Sequence, residues 1–188
     1  MVALVTGCQQ LSKRTDKMSK NKIHHWNSRV KFHDKVKDRK IPGTAKIYLS
    51  EPDKFRMDVY EPFGFVRIGT IVVNGDLAKA NFINEKPYEG PVTDEALKKI
   101  FKMNVSIKDV MGIFTQKGFK ANTWDCDVSD QNTLSECQSS LNGVSISWTG
   151  PMTSSGNSCR VNHPRAEILF SIKSYEALDK DKGSVFSL

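Results

Sequence analysis

Turn-forming residues recur every eight to twelve positions along most of this chain, and the runs between them are short and amphipathic. That rhythm suits an antiparallel sheet and argues against βαβ units, which need helical stretches between strands. In residues 54–60, Phe55, Met57 and Val59 alternate with Arg56, Asp58 and Tyr60, giving one apolar face and one wet face. Further strands are expected over 26–36, 43–49, 65–73 and 77–83, with Asn74-Gly75 as the hairpin turn between the last two. Later strands are expected from about residue 119 and over 144–148, 165–174 and 185–188.

The sheet pattern is interrupted once. Residues 93–102 place Asp94 and Glu95 in a first helical turn and Lys98, Lys99 and Lys102 toward its end, which suits the helix dipole. Ala96, Leu97, Ile100 and Phe101 form its apolar stripe. Ser106-Ile107-Lys108-Asp109 then has the capping-box pattern and opens a second short helix through Val110, Met111, Ile113 and Phe114. The expected class is mainly β (α+β): a curved antiparallel sheet with two small helices packed over one face.

A chain of 188 residues with 38% apolar and 26% charged residues fits one domain and can bury a core. No run approaches the 18 or so apolar residues of a spanning helix. The net charge of +7 is unevenly distributed. Residues 9–40 hold eleven Lys or Arg against three acids, whereas everything after residue 40 carries 17 basic and 18 acidic residues. The basicity belongs to the N-terminal arm and first strand, as in a segment that hovers near an anionic surface.

The first eight residues are apolar and end in Val5-Thr6-Gly7-Cys8, which resembles the bacterial lipobox, whose cysteine is acylated and becomes the new N-terminus. Seven residues are too few for a full signal, so this reading expects a start upstream of Met1. Gln9 is not the inner-membrane retention Asp, so the destination implied is the outer membrane, periplasmic side. The expected organisation is a signal remnant at 1–8, a flexible basic tether at 9–22 and one β domain at 23–188. With Cys8 acylated, Cys126, Cys137 and Cys159 remain. Ser129-Asp130-Gln131-Asn132 is a turn-forming run, which places Cys126 opposite Cys137 across a hairpin, so a disulfide there is the first reading. A zinc site from the three cysteines and His163 competes, against irregular spacings and no CxxC pair.

From Phe55 to Phe119 the order is strand, Glu61-Pro62-Phe63-Gly64, strand, Asn74-Gly75, strand, Lys86-Pro87-Tyr88-Glu89-Gly90, helix, and a helix carrying Val110-Met111-Gly112. This order resembles the LolB and LolB-like outer-membrane lipoproteins. The resemblance implies a half-open antiparallel β-barrel of the LolA/LolB kind, with the helices as a lid over a hydrophobic cavity for the acyl chains of a lipoprotein. It implies that Phe55, Met57, Val59, Leu97, Ile100, Phe101, Val110, Met111 and Phe114 line that cavity. It also implies that Pro62, Phe63, Gly64 and Phe65 form a loop that enters the membrane. Cargo would arrive from a LolA-like periplasmic carrier and pass to the inner leaflet of the outer membrane. The alternative is an envelope scaffold that uses the fold without cargo transfer.

The chain lacks GxSxG, Walker A and GxGxxG patterns, and its histidines do not converge with carboxylates at ligand spacing. No enzyme, metal or cofactor is expected. Nor is nucleic acid an expected partner, because basic and aromatic residues are not interleaved.

Overall fold

The structure, a computed structural model, describes residues 22–101, 105–119, 123–130, 132–141, 143–179 and 185–187. The readings placed on Cys8, on the tether up to residue 21, on Lys102 and on Leu188 lie outside them. Among the described residues the elements are β1 (Lys22–Asp34), β2 (Arg39–Ser50), β3 (Lys54–Tyr60), β4 (Arg67–Asn74), β5 (Leu77–Phe82), β6 (Tyr88–Pro91), α1 (Asp94–Phe101), α2 (Ile107–Thr115), β7 (Trp124–Val128), β8 (Leu134–Ser139), β9 (Ser145–Trp148), β10 (Ser158–His163) and β11 (Ala166–Asp179). They form one antiparallel sheet in the order β6-β5-β4-β3-β2-β1-β11-β10-β9-β8-β7. The sheet is not closed, and its class is the mainly β, helix-covered one expected from the alternation.

This topology has a direct consequence. The two edge strands, β6 and β7, are consecutive in the chain, and the connection between them carries both helices. A curled sheet with open edges leaves its inner face exposed unless something crosses the mouth, and here the linker between the edges does so.

Register shows how the inner face is built. Ala45, Ile47 and Leu49 of β2 lie opposite Val59, Met57 and Phe55 of β3, which in turn lie opposite Gly69, Ile71 and Val73 of β4. On the other wing Phe170, Cys159 and Trp148 follow one another across β11, β10 and β9. These residues are the apolar half of each alternation, and most are fully buried.

The outer face is not uniformly wet, which corrects the simple reading of β3. Asp58 is buried, accepting from Arg56 Nε at 2.8 Å and from Thr70 Oγ1 at 2.8 Å. Residues 185–186 explain the cover: they form a 3₁₀ turn rather than a strand, and this turn lies against the outer face. Arg56 Nη1 donates to Val185 O and Asn74 Nδ2 to Phe186 O, and the Phe186 side chain is buried.

Other boundaries differ for local reasons. Strand β4 begins at Arg67 rather than 65, because the amides of Phe65 and Val66 are taken up by Glu61 in the preceding loop. Phe119 lies before β7 and packs edge-on against Trp124 and Trp148 instead of entering a strand. Strands β6 and β10 carry weak signals: Tyr-Glu-Gly-Pro contains two poor strand formers, and Ser-Cys-Arg-Val-Asn-His only two apolar residues. Lys22, read as the end of the tether, opens β1.

Two predictions follow from local chemistry. Ser106 caps α2 in a reciprocal capping box with Asp109, so Ser106→Ala should lower stability by about 1 kcal/mol in urea unfolding, with an unchanged m-value. His25 stacks on Tyr48 at 4.4 Å, and its Nε2 is buried with no partner in the structure. Burial pushes its pKa below 6.5, and the neighbouring Glu176 offsets this only in part. The unfolded chain therefore binds the extra proton first as pH falls through 6.5, so stability drops with falling pH in that range. His25→Gln should flatten the dependence between about pH 5 and 7, measured as the unfolding midpoint against pH.

Candidate functional site

Phe114 of α2 sits at the centre of the inner face. Its ring centroid lies 5.6 Å from Trp26, 6.3 Å from Phe55 and 5.3 Å from Phe170, spanning β1, β3 and β11. Aromatic groups at these separations pack favourably beyond their area alone. Trp148 Nε1 donates to Ile113 O at 2.8 Å, which ties the helix backbone to β9.

The C-terminal end of α2 is held as firmly. Gln116 adopts a left-handed conformation (φ 54°) at the end of α2. Its Nε2 donates to Leu134 O and Gly150 O, and its Oε1 accepts from Met152 N at 3.1 Å. Met152 is itself buried, and its carbonyl accepts from Trp26 Nε1. One side-chain amide thus links α2 to β8 and to the β9–β10 connection.

Between the helices and the sheet remains an apolar cavity of about 50 Å³. That volume admits a few small atoms, whereas ligand pockets run to roughly 300–1,000 Å³. The protein's own side chains, Phe114 foremost, fill the space the resemblance assigns to an acyl chain. Phe55, Met57, Phe101, Val110 and Phe114 line the cavity together with Trp124, Ile146 and Phe170.

Four of the other expected residues are not on its wall. Val59 lies opposite Gly69, and a Cβ at Gly69 would sit 2.2 Å from the Phe82 ring, so Phe82 covers that part of the inner face. Leu97 is buried outside the main apolar cluster, Ile100 packs against that cluster from the side, and Met111 is within it but away from the void. In short helices only part of the stripe reaches the sheet, and the helix axes that decide which part are set by packing.

At one end of the sheet the β3–β4 loop projects. Phe63 is 82% exposed and Phe65 88% exposed, with Val66 also exposed. Glu61 organises this loop: its carboxylate accepts from the amides of Phe63 and Phe65, each at 2.6 Å, and of Val66 at 3.3 Å. Gly64, at φ 83°, makes the turn and donates to Glu61 O. With its amides satisfied by Glu61, the loop holds its two phenyl rings outward without a core contact. Sequence reading attached no role to Glu61; an acid directly before a Pro-x-Gly turn is the signal that was available.

Cys126 and Cys137 face each other across β7 and β8 and are joined by a disulfide on the inner side of the sheet. Cys159 is free and fully buried, and burial holds its thiol well above the usual range. It stands between Trp148 and Phe170 as a small apolar side chain.

No protein-family model matches the chain, and no curated protein matches it in sequence. In structure it is similar to a LolA superfamily protein from Nitrosomonas europaea, with a TM-score of 0.55, 6% sequence identity and 92% of each chain covered. The similarity establishes a shared fold.

The Glu61 clasp can be tested directly. Desolvation alone would raise this carboxyl, but four backbone N–H groups outweigh it and hold it below its ordinary 4.5. Stability of the loop is therefore present above that value and lost as pH falls beneath it. The amide resonances of Phe63 and Phe65 should titrate together with a midpoint below 4.5. A midpoint at or above 4.5, or separate midpoints for the two amides, would show that Glu61 does not close the loop.

Proposed function

We propose that this protein is a non-enzymatic, lipid-anchored binding protein that takes acyl chains beneath its helical lid and helps place lipoproteins or lipids in the outer membrane. The observation that carries the reading is the pair of outward phenyl rings on a loop clasped by Glu61, on a half-open sheet whose inner face is mainly apolar. A soluble surface has little use for two adjacent rings at more than four-fifths exposure, whereas a bilayer gains about 1.5–3 kcal/mol for each it buries.

In this reading Cys8 carries the lipid and a LolA-like periplasmic carrier delivers the cargo. The cavity of about 50 Å³ then belongs to the closed, unloaded form. Loading requires α2 to move, taking Phe114 out of the centre, and the Gln116 amide is the hold that must release. Acyl methylenes would replace protein side chains against the same apolar wall, at about 0.8 kcal/mol each, so transfer needs no external energy source.

Chain length is compatible with such an anchor. Strand β1 starts at the end of the sheet opposite the Phe63 loop, and its 13 residues cover about 40 Å. From Cys8 to Lys22 an extended chain reaches about 48 Å, enough for loop and lipid to meet the same bilayer.

One observation favours a second reading. The filled interior suits an envelope scaffold that never takes cargo, since the cavity of about 50 Å³ beneath the helices is too small for an acyl chain. The two separate on a single assay, displacement of an apolar fluorophore by a fatty acid or an acylated lipopeptide. Saturable binding is expected, with faster uptake in Gln116→Ala as the lid loosens, and with transfer to liposomes reduced at least tenfold in Phe63→Glu. Absence of saturable binding in both the unaltered protein and Gln116→Ala would leave the scaffold.

A further inference from the structure

The β3–β4 loop is not alone at its end of the sheet. Register places five connections together there. Asp34 of β1 pairs with Arg39 of β2 and with Ala166 of β11, so the tips at 35–38 and 164–165 share this end. Ile83 N donates to Ile68 O, which brings the β5–β6 turn to the β3–β4 loop. Ser145 pairs with both Asn162 and Gln138, which adds the β8–β9 turn.

Eight large apolar side chains are exposed among the described residues, and six of them lie in these connections: Val36, Phe63, Phe65, Val66, Ile83 and Leu141. The remaining two, Leu77 and Val128, lie toward the opposite end. Scattered exposed apolar residues need no explanation, but a set gathered on loops from both wings of one sheet marks a contact surface.

The β1–β2 tip adds a charge to this surface. Its acids are engaged in shaping the turn: Asp34 accepts from the amides of Val36 and Lys37, and Asp38 pairs with His33 Nε2 at 2.9 Å. Lys35 reaches across to Asn162 Oδ1 and His163 O, fixing this tip to the β10–β11 turn. Lys37, Arg39 and Lys40 stay exposed, and no acid pairs with them among the described residues. An exposed valine therefore stands in a tip where four cations, Lys35, Lys37, Arg39 and Lys40, outnumber two acids, Asp34 and Asp38.

We propose that this whole end of the barrel is a docking platform for an anionic lipid surface. The β3–β4 loop supplies the apolar depth, and the β1–β2 hairpin supplies a basic, Val36-tipped second foot that selects acidic headgroups. The inference rests on the reading that the Phe63 loop meets a bilayer and names the class of bilayer it meets. Two feet on strands joined edge to edge through β2 and β3 fix the orientation of the domain, which one loop cannot do.

The experiment uses the full chain with Cys8→Ser, so that no acyl group contributes, in sedimentation with vesicles of phosphatidylcholine alone or with 30% phosphatidylglycerol. Partition should favour the acidic vesicles and fall in 0.5 M salt. Lys37→Glu/Lys40→Glu should lower partition to acidic vesicles about tenfold or more and leave the neutral vesicles unchanged. Val36→Ser should lower both, and Leu77→Ser, at the far end, neither.

Equal partition to the two compositions, abolished by Phe63→Ser/Phe65→Ser and untouched at Lys37 and Lys40, would overturn the platform while leaving the loop reading intact. Dependence on the lysines with no effect of the phenylalanines would instead remove the loop reading and keep the anionic surface. Absence of partition to either composition would overturn both and mark this end as a protein-docking face.

Discussion

An eleven-stranded sheet that curls without closing has one inner apolar face and no partner sheet, and everything else in this molecule answers that constraint. The chain meets it by making its two sheet edges consecutive and stretching two short helices between them. Phe114 is the point where helix and sheet become one core, since it touches aromatic rings on strands from both wings. Neither helix is long enough to be stable alone; each is held by what it covers.

Closure of the mouth and access to the interior are in tension. The more completely α2 fills the half-barrel, the smaller the space left for anything else, and here only about 50 Å³ remains. Beyond the burial of Val110, Met111, Ile113 and Phe114, the lid is attached by polar links, Trp148 to the Ile113 carbonyl and Gln116 to three backbone groups. Hydrogen bonds of this kind contribute about 1 kcal/mol each and can be exchanged for water, so a lid held this way is displaceable where a covalently pinned one is not. The disulfide, by contrast, pins β7 to β8 on the wall and leaves the helices free of it.

The two ends of the sheet have diverged in character. At one end the chain projects rings and lysines on clasped turns, each with its own acid: Glu61 for the β3–β4 loop and Asp34 for the β1–β2 tip. An acid held by backbone amides shapes a turn and makes no direct ion pair with a neighbouring cation. The β1–β2 tip belongs to the basic first 40 residues, so its cations outnumber its acids even with both aspartates in place.

Much of the fold was legible from residues 54–60, 74–75 and 93–114, because alternation, an Asn-Gly turn and a capping box are local signals whose physics does not depend on distant partners. The sequence by itself determined the apolar strand faces, both helix positions, a turn at Pro62-Phe63-Gly64, and the pairing geometry of Cys126 with Cys137. Only the tertiary structure decided which apolar residues meet a void. Phe82 of β5 fills the space over Gly69, the cross-strand neighbour of Val59, and Leu97 is buried away from the cluster because packing of a helix on a curved sheet depends on axis placement. It also decided that Asp58, polar by pattern, is buried beneath residues more than a hundred positions later. The role of Gln116 was likewise invisible, since its partners lie 18 to 36 residues away and are chosen by proximity in space, which alternation and spacing along a chain do not encode.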